Sequence, residues 1–153
     1  MRSSFFVALF ICAAFLAGAP SPAMADQPPV QTALLSRLAV GGYDPVAYFS
    51  QGRPVRGAAA HRLTHQGYEY RFVSAQNLAT FRAAPERYLP QFGGYCAWAV
   101  ANGYTAPGNP LNWRIVDGRL YLNYNAEIQS RWERDIPGFI RAANANWPGV
   151  LRR

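Results

Sequence analysis

Cys96, His61 and His65 are the side chains whose chemistry reaches furthest beyond packing. A cysteine thiolate is a nucleophile and a soft metal ligand, and imidazole is a common partner in both roles. Cys96 follows Gly93-Gly94-Tyr95 and precedes Ala97-Trp98-Ala99-Val100, an apolar run that favours helix. The glycine pair suits a sharp entry turn with φ > 0 and lets the backbone pass close to other groups. Cys96 is then predicted in the first turn of a short helix, where unpaired N–H groups and the dipole favour the thiolate. A depressed thiol pKa and reaction with thiol reagents near neutral pH are expected. The competing expectation is a small buried hydrophobe, the commonest fate of a free cysteine.

A transition-metal site needs several soft or borderline donors converging at about 2.0 to 2.3 Å. The candidates are Cys96, His65 and His61, with Asp44 or Glu69 as oxygen donors, and the ion would be copper or zinc. His61 and His65 lie four residues apart on one predicted strand face, about 13 Å along an extended chain. Both reach one ion only if that strand bends or bulges. One histidine with Cys96 is feasible, and a homodimer joining two such pairs would supply four ligands. The opposing reading makes the histidines ordinary exposed strand residues. A Cys96–histidine nucleophile pair satisfies the residue types for catalysis but no motif. The chain has no Gly-rich phosphate loop, no His-Glu-x-x-His and no Gly-x-Ser-x-Gly elbow. Binding is expected, and enzymatic activity is not.

Residues 1–25 read as a signal peptide. Arg2 gives a positive start, Phe5 to Leu16 an apolar centre, and Ala23-Met24-Ala25 a small-x-small cleavage site before Asp26. The apolar run is too short for a retained membrane anchor, so a periplasmic or secreted protein is expected. Cleavage leaves 128 of the 153 residues, enough for a single core. It also removes Cys12, Met1 and Met24, so one cysteine remains and no intramolecular disulfide forms despite an oxidising compartment. All 15 basic residues are arginine, and loss of Arg2 lowers the formal charge by one from +7. That balance favours anionic partners, but the arginines are scattered and no basic run precedes Arg152-Arg153. Nucleic acid is therefore not an expected partner, and a periplasmic partner of unknown identity is.

The elements that must position these residues read as α+β: a small single domain with two β-hairpins and several short helices packed on them. Residues 26–38 are predicted as a tail running into a short amphipathic helix with Leu34, Leu35 and Leu38 at helical spacing. Asp44 followed by Pro45 is a helix start. Alternation from His61 to Phe72 predicts a hairpin about Gln66-Gly67, and Ser74 then caps a helix burying Leu78 and Phe81. Ala106 to Leu111 reads as a loop, and Asp117-Gly118 as the turn of a second hairpin. Asn125 caps the last long helix, which buries Ile128, Trp132 and Ile136 and is interrupted at Pro137-Gly138. No internal repeat is evident at this level.

Asp44-Pro45-Val46, Tyr70-x-Phe72-x-Ser74, Phe81, Pro85 and Tyr88 together resemble the YHS domain, a relative of the TRASH metal-binding domains. The continuation through Gly93 to Ala97, Trp132 and Asn146-Trp147-Pro148 is similar to a longer exported branch of that family. The resemblance implies a YHS-like domain over 39–148 with a C-terminal helical extension. The cysteines of its metal-binding members correspond to Ala47, Val73 and Asn77 here, and their histidine to Arg71. It therefore implies a fold without the family's thiolate site. Two functions follow: soft-metal handling through Cys96 and a histidine, or a metal-free module that docks a partner or small ligand on the aromatic surface around Tyr95 and Trp98.

Overall fold

The computed structural model describes residues 26–152, so the leader expected over residues 1–25 lies outside the described residues. The fold is α+β, with two antiparallel two-stranded sheets and short helices packed on them. In chain order the regular elements begin with α1 (Ala47–Ser50), β1 (Ala58–His65), β2 (Tyr68–Phe72), α2 (Ala75–Ala83) and α3 (Pro85–Tyr88). They continue with α4 (Ala97–Ala101), β3 (Asn109–Val116), β4 (Arg119–Asn123), α5 (Ala126–Trp132) and α6 (Ile136–Asn146).

Turn and cap chemistry set these boundaries. Gln66-Gly67 and Asp117-Gly118 both adopt left-handed φ, at 50° and 82° and at 50° and 72°. Two such residues in a row match the right-handed twist of a tight hairpin. Ser74 Oγ accepts from the Asn77 N–H at 3.1 Å, and Asn125 Oδ1 accepts from the Ile128 N–H at 2.8 Å. Removing a cap of this kind costs about 1 kcal/mol.

The two hairpins belong to one pattern used twice, which corrects the expectation of no internal repeat. Val40, Gly41 and Gly42 have φ of 52°, 58° and 81°, while Phe92, Gly93 and Gly94 have 54°, 60° and 85°. Each glycine turn leads through a tyrosine, Tyr43 or Tyr95, into a short helix, α1 or α4. The Asp44 N–H donates to the Val55 carbonyl at 2.8 Å, and the Cys96 N–H donates to that of Ala106 at 2.9 Å. Both hairpins bulge at the same place, between Ala58 and Arg62 and between Asn109 and Trp113. Capped helices α2 and α5 follow, and a residue of unusual conformation stands just before the next helix in each unit. Ala84 has φ, ψ of −153°, 66° and Asp135 −151°, 68°. The segment expected as a C-terminal extension thus repeats the order of elements of the first unit.

Each unit has its own buried cluster. The first gathers Val46, Tyr48, Tyr70, Phe72 and Phe81, and the second gathers Phe92, Val100, Tyr121, Trp132 and Ala143. Strand β4 serves both, because Leu120 and Leu122 join the first cluster while Tyr121, on the opposite face, joins the second.

Three local expectations need correction. Residues 26–38 form no helix; Leu34 and Leu35 are 92% and 100% exposed, and Leu35 has a φ of 59°. Leu34 and Leu35 pack against nothing in the fold, and a short helix without a buried face is not stable in water, so helical spacing alone did not make one. The supposed loop at Ala106–Leu111 enters β3 at Asn109. The last helix breaks at Glu133–Asp135, and Pro137 opens α6 with Asp135 as its cap, Oδ1 accepting from the Gly138 N–H at 3.0 Å. An N–H in the first turn has no intrahelical acceptor, so Pro137, the second residue of α6, costs the helix no hydrogen bond there.

Candidate functional site at Cys96

Two backbone cradles occupy equivalent places in the two units. Asp44 is fully buried, and its Oδ1 accepts from the N–H groups of Val46 at 2.8 Å and Ala47 at 3.2 Å. Its Oδ2 accepts from the Val73 N–H at 2.8 Å and from Asn77 Nδ2 at 2.7 Å. Four donors thus hold one carboxylate, the arrangement that makes a buried anion tolerable. Cys96 stands at the corresponding point of the second unit. The N–H groups of Trp98, Ala99 and Tyr124 face its Sγ, and they are the counterparts of Val46, Ala47 and Val73. The fourth donor is missing, because Ile128 replaces Asn77.

Asn123 stands where the first unit has Phe72. The Cys96 thiol donates to its Oδ1 at 3.7 Å, and the Trp98 N–H donates to the same oxygen at 3.3 Å. Asn123 is fully buried, yet its Nδ2 has no hydrogen-bond partner. Unmet buried donors are uncommon and mark spare bonding capacity.

Cys96 caps α4 instead of lying in its first turn, and it is 1% exposed. Burial pushes the thiol pKa up, against the lowering effect of the Ala99, Tyr124 and Trp98 N–H groups. The depressed pKa expected from a helix start is thereby reversed. Desolvation of the anion outweighs three fixed dipoles.

Beside the sulfur opens a cavity of about 190 Å³ lined by Cys96, Trp98, Ala99, Tyr104, Ala106, Tyr124 and Ile128. Tyr104 and Tyr124 are exposed at its rim, and Tyr104 meets Trp98 edge-on at 6.3 Å between ring centroids. Tyr95 takes no part in this surface. It is buried, and its hydroxyl donates to the Pro28 carbonyl at 2.8 Å. The N-terminal segment also accounts for the glycine pair, since the Gln31 N–H donates to the Gly93 carbonyl at 2.9 Å. A Cβ on Gly93 would run into the Pro29 carbonyl. The close approach that the glycines suggested comes from the chain itself. A wider groove of about 640 Å³ lies between residues 27–37 and Tyr68, Tyr95 and Thr105 to Pro107, but it contains no thiol, imidazole or carboxylate.

The histidines lie in the other unit. His65 packs edge-on against Phe81 and Tyr70, with its Nε2 buried and 3.7 Å from Glu86 Oε1. His61 is half-buried beside the bulge of β1. Asp44 is committed to its four donors, and Glu69 accepts from Arg71 Nε at 2.7 Å. Among the described residues, no group of three or more His, Cys, Asp or Glu side chains is placed to hold a metal ion. The sequence reading missed Asn123, Tyr124, Ile128 and Ala106. The repeated Gly-Gly-Tyr of residues 41–43 and 93–95 was the signal that would have aligned them with the Asp44 cradle. Set against protein-family models, curated proteins and solved structures, the chain finds no match.

Proposed function

We propose that this chain is an exported YHS-type binding module whose site is the aromatic pocket over Cys96, taking a small flat apolar group. The carrying observation is a cavity of about 190 Å³ walled by Trp98, Tyr104 and Tyr124, with few polar atoms besides the thiol at its floor. Apolar pockets with a few placed polar groups are the usual form of small-molecule sites. The YHS reading is supported by the behaviour of its motif residues. Asp44 is the buried cap, Ser74 starts α2, and Tyr70, Phe72 and Phe81 share one core with Tyr88 packed against it.

Ligand-observed NMR with indole as probe tests the pocket. Saturation transfer should be seen with the parent protein and lost in Ala106→Phe, which fills the cavity, while the melting temperature is kept. Equal transfer in both proteins would defeat the proposal.

Soft-metal binding is the second reading, favoured by a sulfur that lines an open cavity and by three N–H groups that stabilise its anion. His61 or His65 would then come from a second copy, with copper or zinc bridging a homodimer. Native mass spectrometry after chelator-free purification tests this. A metal-free monomer that stays unchanged on addition of Zn(II) or Cu(I) would dismiss it.

A further inference from the structure

We propose that the cleft where the N-terminal segment meets both units binds a neutral sugar, with Tyr70 and Glu86 bonding its hydroxyls. The cleft lies between the β1–β2 turn and α3 of the first unit and the Phe92-Gly93 turn and α6 of the second, and Pro29 and Val30 also border it. Its volume of about 310 Å³ has room for a monosaccharide and stands at the small end of the range for ligand sites.

Tyr70 is the group in this cleft that the fold leaves unsatisfied. It is 2% exposed, yet its hydroxyl makes no hydrogen bond within the described residues. Tyr48 and Tyr95, also buried, donate to the carbonyls of Pro110 at 2.9 Å and Pro28 at 2.8 Å. The Tyr70 ring packs against Phe81 and His65, and the carboxylate that acts on its hydroxyl is Glu86, another residue of the cleft. The hydroxyl is therefore the end of the ring that meets the cavity. Burial first, and then Glu86, push the phenol pKa up, so at neutral pH it keeps its proton and both donates and accepts. A buried hydroxyl without a partner is costly, and a bound ligand removes that cost.

The same corner holds a second unmet polar atom. His65 Nε2 is buried without a hydrogen bond and lies 3.7 Å from Glu86 Oε1. Glu86, Gln66 and Asn144 are exposed residues of the cleft, at its rim.

This mixture of donors and acceptors selects the ligand class. An ammonium group only donates, so it would use the amide oxygens of Gln66 and Asn144 and leave their N–H groups unanswered. An anion only accepts, and Glu86 would repel it. A sugar hydroxyl donates to a carboxylate and accepts from a phenol or an amide at once. The apolar C–H face of a pyranose also suits Phe92 and Trp147 in the same cleft. No residue is shared with the pocket over Cys96, so neither site depends on what the other binds.

Saturation-transfer NMR on the purified chain, with D-glucose, D-galactose, D-mannose and N-acetyl-D-glucosamine as probes, tests the site, and a responding sugar is then titrated. At least one should receive saturation from the parent protein. Tyr70→Phe should keep or raise the melting temperature, because the hydroxyl has no partner to lose, and should weaken that sugar about tenfold, the worth of one hydrogen bond. Glu86→Gln, at an exposed position, should weaken it as well, whereas Ala106→Phe fills the other pocket and should leave it unchanged. No transfer to any of these sugars, undiminished binding in Tyr70→Phe, or loss of binding in Ala106→Phe would overturn the proposal. Transfer to choline in place of the sugars would do the same and make the cleft a cation site. A lowered melting temperature in Tyr70→Phe also counts against it, and if that variant does not fold, Glu86→Gln decides.

Discussion

The Asp44 and Cys96 cradles share one backbone and differ in what fills it. Around Asp44 every bonding position is taken: two oxygens meet four donors, and all the atoms concerned lie inside the first unit. Around Cys96 the Ala99 and Tyr124 N–H groups face the sulfur, that of Trp98 donates to Asn123 Oδ1, the Asn123 Nδ2 is left over, and a cavity replaces the fourth donor. The first arrangement is a structural clamp that ties the glycine turn to the start of α2. The second keeps the clamp's geometry and leaves bonding capacity unspent, which is how a structural element becomes available for chemistry.

The sharpest way to break this comparison is to empty both cradles. Asp44→Ala strands four donors, two buried and two part-buried, that lose a charged acceptor, and a loss on the order of 4 kcal/mol is expected in urea unfolding. Cys96→Ala removes one small group beside an existing cavity and should cost only on the order of 1 kcal/mol. Equal losses would mean that both cradles are structural.

The glycine turns give a second contrast. Gly41 and Gly93 share a left-handed backbone, which costs an alanine about 1–2 kcal/mol. A Cβ on Gly41 meets Pro110 Cγ at 3.3 Å, a contact that small shifts relieve, whereas on Gly93 it strikes the Pro29 backbone. Gly93→Ala should therefore lose about 1 kcal/mol more than Gly41→Ala and release the N-terminal segment. Limited proteolysis between Asp26 and Gln31 reads that release.

Alkaline pH separates the two units more gently. Burial raises the pKa of tyrosines in both units, Tyr48 and Tyr70 in the first and Tyr95 and Tyr121 in the second, but of a thiol only at Cys96. A raised folded pKa means that the unfolded chain loses its proton first, so stability declines as pH rises. It should be intact below about pH 8.5, fall first through the thiol, and fall further above about pH 10 as the tyrosines ionise. Urea midpoints measured from pH 7 to 11 should show the first limb in the parent and not in Cys96→Ala. Superimposable curves would remove the thiol from the account.

The smallest expected effect is a control. Helix α5 of the second unit has an exposed ion pair between Glu127 and Arg131. Arg131→Ala should change stability by only about 0.3–0.5 kcal/mol, so surface charge does not explain the contrast between the units.

Punctuation residues made much of the fold legible. Gln66-Gly67, Asp117-Gly118, Ser74 and Asn125 act through bonds to their immediate neighbours, and such local chemistry is written in the order of residues. The duplication was hidden for the opposite reason. Gly-Gly-Tyr recurs, but the step from Gly41 to Gly93 is 52 residues and that from Gln66 to Asp117 is 51. The matched positions also differ in kind: Asp44 against Cys96, Phe72 against Asn123, Asn77 against Ile128. What they share is a set of peptide N–H groups, and those have no letter in the sequence. The failed helix at Leu34 shows the converse, a local pattern that tertiary contacts did not support.

Strand β4 bears on how such a molecule comes apart. Because Leu120 and Leu122 complete the first cluster from within the second unit, the first copy is not self-sufficient despite having every element of its own. A chain cut between α3 and α4 would leave residues 26–88 with an open flank where those leucines belong. The ancestral module, if it once stood alone, has given up its autonomy. Melting is accordingly expected to be one cooperative event shared by both halves, with β4 as the seam along which it is coupled; two separate transitions in calorimetry would show the halves to be independent.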